Sequence, residues 1–178
     1  MIVVVPDAHA LPFESMPRTS FDFWSNLYDF WAKNETKADE ELFHDIIPFI
    51  QTHYNISDEP RERAIAGLSM GGLQSVETGI VHLGYFSWIA AFSPGDLRAL
   101  SDEFKNALKD PNKINENLHL FEIVSGDNDS MTGPVVQQFE IQLRALKIEH
   151  VYTVMPGSHS MFVFRPALSK FLQEIFKR

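Results

Sequence analysis

Ser69 stands in the segment Gly67-Leu68-Ser69-Met70-Gly71, a Gly-x-Ser-x-Gly pattern. The small apolar run Ala64–Leu68 leads straight into it, and an amphipathic stretch at residues 72–83 follows at once. A chain that turns from strand to helix within so few residues holds its serine in a strained backbone conformation and presents the hydroxyl. Side chains two positions either side of that serine are expected to collide, which accounts for Gly67 and Gly71. Gly72 adds room where the helix packs on the strand. The start of the helix aims N–H groups, that of Met70 first, at any negative charge developing beside the hydroxyl.

A serine hydroxyl is a weak nucleophile until a base accepts its proton. The expected base is a histidine after a later strand, oriented by a carboxylate after the strand before it. The chain order Ser, acid, His is present. Asp127 and Asp129 follow an apolar run at residues 118–124, and His159 follows another at 150–155, in the turn Pro156-Gly157-Ser158-His159. An amphipathic stretch at 134–146 joins the two runs, so both groups belong at carboxyl ends of adjacent parallel strands, where such sheets bind ligands. His44, His53 and His82 fall on expected helices. His119 and His150 open strands at the opposite end. His9, after the run at residues 2–5, is the one rival base. Spacing leaves the choice between Asp127 and Asp129 open; Asp127, directly after Gly126, is placed as a turn-former.

Other chemistries fit less well. Asp127-Asn128-Asp129 begins like a calcium loop, but Met131 and Thr132 occupy a ligand position and the turning-glycine position, and Gln138 replaces the closing Glu. No His-x-x-x-His pair and no Gly-Lys phosphate loop occurs. The reading calls for no metal and no cofactor.

The apolar runs 2–5, 64–68, 88–92, 118–124 and 150–155 are short and carry few charges, as suits strands covered on both faces of a parallel sheet. Between them lie helical patterns at 41–54, with a break expected at Pro48, at 72–83, at 97–108 with Asp96 as cap, at 134–146 opening on Pro134, and at 166–176. Strands alternating with helices predict a doubly wound α/β sheet of about five strands with helices on both faces, in one domain spanning residues 1–178. Six aromatics, Phe21, Phe23, Trp24, Tyr28, Phe30 and Trp31, suit core packing first, then a lid or acyl-group wall, then an oligomer contact.

Composition agrees. Of 178 residues 44% are hydrophobic and 22% charged, a globular balance. Fifteen Lys and Arg against twenty-four Asp and Glu leave a net charge of −9, which argues against a nucleic-acid partner. No apolar run approaches a membrane span, and residues 2–5 lack the length and basic flank of a signal peptide. Cysteine is absent, so disulfides and thiol chemistry are excluded.

Residues 64–72, Ala-Ile-Ala-Gly-Leu-Ser-Met-Gly-Gly, resemble the elbow of the esterase D-like α/β-hydrolases, and in particular of carbohydrate esterase family 1, which holds feruloyl and acetyl-xylan esterases. Ile2-Val3-Val4-Val5-Pro6-Asp7, Phe92-Ser93-Pro94-Gly95, Ser125-Gly126-Asp127-Asn128-Asp129-Ser130 and Pro156-Gly157-Ser158-His159 extend the similarity along most of the chain. The resemblance selects Asp129 as the acid. It implies a serine esterase acting on carbohydrate-linked feruloyl or acetyl esters through Ser69, Asp129 and His159, with the Met70 N–H facing the oxyanion.

One departure stands out. The family places several strands before the elbow, one leading into a His-Gly loop that supplies a second oxyanion donor. Here only the run 2–5 precedes the elbow strand, no His-Gly occurs, and no glycine precedes Gly67. Read this way, the fold is truncated, and losing that donor costs on the order of 10²–10³ in kcat. Two remedies are expected: residues 2–5 pair beside the elbow strand, with the loop 7–9 offering a substitute N–H, or two copies associate through the open sheet edge. The alternative reading is a weakly active or non-catalytic module that keeps the fold for binding.

Overall fold

The computed structural model describes residues 1–7, 10–12 and 23–176, and these divide into two compact units, Met1–Ile56 and Ser57–Arg178.

The first unit is helical. Helix α1, Phe23–Glu41, runs into a π-helical turn at Leu42–Ile46 and then helix α2, Ile47–His53. The expected break at Pro48 is this π turn. Proline has no N–H for the carbonyl one turn earlier, and its ring crowds that carbonyl. The ladder therefore slips by one, with the Ile47 N–H reaching the Leu42 carbonyl, and restarts with Pro48 in the first turn of α2. Phe30 is buried and meets Trp31 edge to face at 5.3 Å. Phe21 and the side chains of Phe23, Trp24 and Tyr28 lie outside the described residues.

Residues 2–5 correct the expectation of a first strand. They lie in no strand, and Val5 is 87% exposed. β-branched residues favour a strand because they fit a pleated, half-covered surface; four of them without a ladder partner form none.

The second unit holds a four-stranded, wholly parallel sheet rather than one of about five strands. It comprises β1 Ala64–Leu68, β2 Trp88–Phe92, β3 Leu120–Gly126 and β4 Val151–Met155, in the order β1-β2-β3-β4. The order never reverses among the described residues, and helices cover both faces of the sheet as expected. Right-handed crossovers advancing one way place their helices on one face. Helices α3 (Met70–Val81), α4 (Asp102–Ala107), α5 (Pro111–Asn117) and α6 (Gly133–Ala145) share one core with Ile89, Ala91, Phe121 and Ile123. Helix α7, Met161–Glu174, covers the other face, where Phe171 and Val163 meet Trp88, Ala90, Phe92 and Val124. Alternate residues of β2 thus serve opposite cores, and all five are buried. Strands β1 and β4 are the edges, and Leu68 and Val154 are exposed there.

Helix boundaries depart from periodicity where capping residues decide. The pattern at 97–108 splits: Asp96 accepts the Arg98 N–H over a single 3-10 turn at Leu97–Ala99, and Ser101 accepts the Phe104 N–H to start α4. Helix α5 is an addition, capped by Asp110 with Pro111 at its first position. Helix α7 begins five residues before Pro166, because the turn it adds buries Val163 and Phe164.

Candidate active site

The site is assembled at the carboxyl ends of β1, β2, β3 and β4. Ser69 follows β1 directly with φ 52° and ψ −116°, a region that non-glycine residues rarely occupy. Four backbone bonds hold it there. Its N–H donates to the Phe92 carbonyl at 2.9 Å, and its carbonyl accepts from Gly72 at 3.0 Å, from Leu73 at 3.1 Å and from Gly95 at 2.7 Å. The end of β2 thus braces the turn. Of the two flanking glycines, only Gly67 is sterically required. A Cβ at 67 would overlap the Gly71 carbonyl, whereas one at 71 would meet open space. The expected collision at Gly71 is therefore corrected: the turn folds the Gly71 backbone onto Gly67, not the reverse.

His159 lies in the loop between β4 and α7. Its Nε2 is 2.9 Å from Ser69 Oγ and its Nδ1 is 2.9 Å from Asp129 Oδ2. With Nδ1–H donating to the carboxylate, Nε2 accepts from the serine hydroxyl. Phe164, on the first turns of α7, sets its ring edge to face against the imidazole at 5.2 Å. The loops of Asp129 and His159 approach so closely that a Cβ on Gly126 would overlap the Gly157 carbonyl. Asp127 stitches them, its carboxylate accepting the Gly157 N–H at 2.9 Å. The two candidate acids are thereby separated: Asp129 meets the histidine, and Asp127 forms the turn.

The Asp129 side chain is fully buried. Burial pushes its pKa up, but the Thr132 N–H and the imidazole, followed by other donors including the Thr132 hydroxyl, outweigh it and bring the group down to about 2. Ser93, buried after β2 with φ 43°, lies close by without completing a hydrogen bond. Because this pKa is depressed below the unfolded value near 3.9, the carboxylate stabilises the fold fully above pH ~4, and this is lost as pH falls toward 2. Urea unfolding from pH 5 to pH 2 is expected to lose about 2 kcal/mol from this group. Asp129→Asn is expected to flatten that part of the profile.

Met70 is the first residue of α3, so its N–H belongs to the first-turn donors that have no partner within the helix. The other histidines lie elsewhere. His119 packs at a tilt against Trp88, ring centres 4.3 Å apart, and His150 precedes β4 at the amino end of the sheet. His150 there lines a hollow of about 410 Å³ with Glu140, Arg144 and Lys147. His44 and His53 belong to the helical first unit, and His82 ends α3. His9 lies outside the described residues, and with it most of the loop 7–9. Among the described residues, no group of three or more His, Asp or Glu side chains is arranged to hold a metal. Sequence reasoning missed Thr132 and Ser93. The signal for Thr132 was its place directly before Gly133-Pro134, at a helix start.

Solved structures share this fold. A ferulic acid esterase from Anaeromyces mucronatus, in complex with ferulic acid, superposes with a TM-score of 0.70 at 20% identity over 96% of this chain and 63% of that one. S-formylglutathione hydrolase from Staphylococcus aureus gives 0.66 at 15% identity over 84% and 66%. The enterobactin esterase from Shigella flexneri gives 0.60 at 21% identity over 79% and 38%. The chain thus spans less than two thirds of the length of each. The esterase family model, described as "Putative esterase", matches residues 1–175. A strand-to-helix serine at the rim of a parallel sheet agrees with that match, and the chain belongs to the esterase family.

Proposed function

We propose that the protein is a serine carboxylester hydrolase. The observation that carries the reading is the continuous relay from Ser69 Oγ through His159 to Asp129, with 2.9 Å at each step. Ser69 Oγ attacks the ester carbonyl while His159 Nε2 takes its proton. The tetrahedral oxyanion faces the Met70 N–H and the positive end of α3. Collapse of that intermediate breaks the bond to the alcohol, which leaves with the proton from Nε2. Water then attacks the acyl-serine, giving its proton to Nε2, and the second collapse frees the acid and restores the serine hydroxyl. Asp129 holds the Nδ1–H tautomer and stabilises the imidazolium between steps.

For substrate we propose carbohydrate-linked acyl esters, feruloyl or acetyl. This rests on the resemblance of the elbow, acid loop and histidine loop to carbohydrate esterases, and on the fold shared with a ferulic acid esterase. Hydrolysis of methyl ferulate, compared with p-nitrophenyl acetate, tests the acyl group. Faster turnover per bound ester with ferulate supports a feruloyl esterase, acetate alone supports the acetyl reading, and neither ester being cleaved overturns the proposal.

A second reading keeps the fold for binding or interaction rather than for efficient turnover. What favours it is β1, which has a strand neighbour on one side only among the described residues. Such an edge invites another strand. Association of two copies through it remains a proposal, tested by light scattering. Absence of covalent labelling by a fluorophosphonate would favour this second reading.

A further inference from the structure

The two oxygens of Asp129 are served by four donors. Oδ1 accepts the N–H of Met131 at 3.1 Å and of Thr132 at 3.0 Å. Oδ2 accepts the Thr132 hydroxyl at 3.0 Å and the Nδ1–H of His159 at 2.9 Å. Thr132 therefore grips both ends of the carboxylate. It is also the residue before the first turn of α6, where a threonine hydroxyl ordinarily accepts a free helical N–H. It makes no such bond here. The hydroxyl is turned away from its common structural task and toward the acid.

We propose that Thr132 is a positioning residue of this site, its hydroxyl fixing the Asp129 carboxylate and the imidazole tautomer that His159 must adopt. The inference rests on the reading of Ser69 as nucleophile and His159 as base. Two N–H donors on Oδ1 alone let the second oxygen swing; a hydroxyl on Oδ2 stops it. The same oxygen, Thr132 Oγ1, lies 3.5 Å from Nδ1. A hydroxyl not engaged by Oδ2 is free to donate to Nδ1 instead. That would favour the tautomer with its proton on Nε2, which cannot accept one from Ser69. The groups around the pair are Ser69 from the β1–α3 turn, Ser93 from the end of β2 and the edge of Phe164 from α7. The loop's other ionisable side chain, Asp127, is bonded to Gly157.

The test is Thr132→Val, which keeps the shape and removes the hydroxyl, beside Thr132→Ser, which keeps the hydroxyl. Because a buried hydrogen bond to the carboxylate is lost while no helix cap is, the melting temperature is expected to fall by only a few degrees; Thr132→Ala serves if the valine chain does not fold. For p-nitrophenyl acetate, kcat is expected to fall about tenfold in Thr132→Val with little change in KM. The acid limb of kcat/KM is expected to move to higher pH, because a carboxylate relieved of one donor holds the imidazolium more tightly. The low-field Nδ1–H proton resonance of His159 is expected to shift or broaden, and Thr132→Ser to restore all three. Parental kinetics and an unmoved resonance in both Thr132→Val and Thr132→Ala would overturn the inference. So would a serine variant no better than the valine one. Failure of the parent to take a fluorophosphonate label sinks the serine-hydrolase reading separately, and the proton resonance then still decides the part played by Thr132.

Discussion

Ser69→Ala is expected to abolish fluorophosphonate labelling and to lower kcat for p-nitrophenyl acetate by on the order of 10⁵–10⁶, with KM nearly unchanged. The reason is geometric. Ser69 Oγ stands 2.9 Å from Nε2 on the strained turn. Removing it leaves the base without a partner and the acyl group without an acceptor. His159→Ala is expected to cost nearly as much, since the hydroxyl then has no base. The double variant is expected to be no worse than either single one, because the groups act as a unit. Additive losses would show that Ser69 and His159 act independently, and a labelled Ser69→Ala chain would place the nucleophile elsewhere. Intrinsic fluorescence and thermal melting of both variants are expected to follow the parent, which separates chemistry from folding.

Gly67→Ala and Gly71→Ala are expected to differ sharply, although both positions belong to the same motif. At 67 a Cβ would overlap the backbone carbonyl of Gly71, and backbone cannot give way as the end of a flexible side chain does. The strand or the helix start must shift, at a cost above about 3 kcal/mol, the upper range for overpacking. The turn that holds Ser69 shifts with it, so labelling is lost as well. At 71 the Cβ meets open space. Alanine there also restricts the unfolded chain, so stability is expected to change by less than about 1 kcal/mol, with the label retained. Urea unfolding of the two variants checks the pair. Equal losses would mean that position 71 is packed against something the geometry does not reveal.

Much of this was legible without coordinates because it is written in local pattern. The Gly-x-Ser-x-Gly turn between an apolar run and an amphipathic one announces an elbow, since few other backbones need that punctuation. The order Ser69, Asp129, His159 follows from strands that alternate with helices, and each group falls after a strand end where parallel sheets gather chemistry. The four runs at 64–68, 88–92, 118–124 and 150–155 became β1 to β4 with small shifts of boundary. Helices began and ended where caps rather than periodicity ruled, as Ser101, Asp110 and the turn buried by Val163 demonstrate.

What remained beyond the reach of pattern depends on contacts between distant segments. Residues 2–5 carry as strong a strand signal as any run in the chain, yet form no strand, because pairing is decided by the partner edge and not by the run. Asp127 and Asp129 are two positions apart and chemically alike. Spacing cannot separate them, and only the resemblance of the loop selects Asp129; the close approach of Gly126 to Gly157 supplies the physical reason, turning one carboxylate to the imidazole and the other to a backbone N–H. The same folding takes the Thr132 hydroxyl from helix start to carboxylate. The sequence by itself therefore determined the kind of chemistry and the order of its groups, since residue type and local conformation are properties of short segments. Only the tertiary structure decided which oxygen faces which proton, since that is set by backbones that meet from far along the chain.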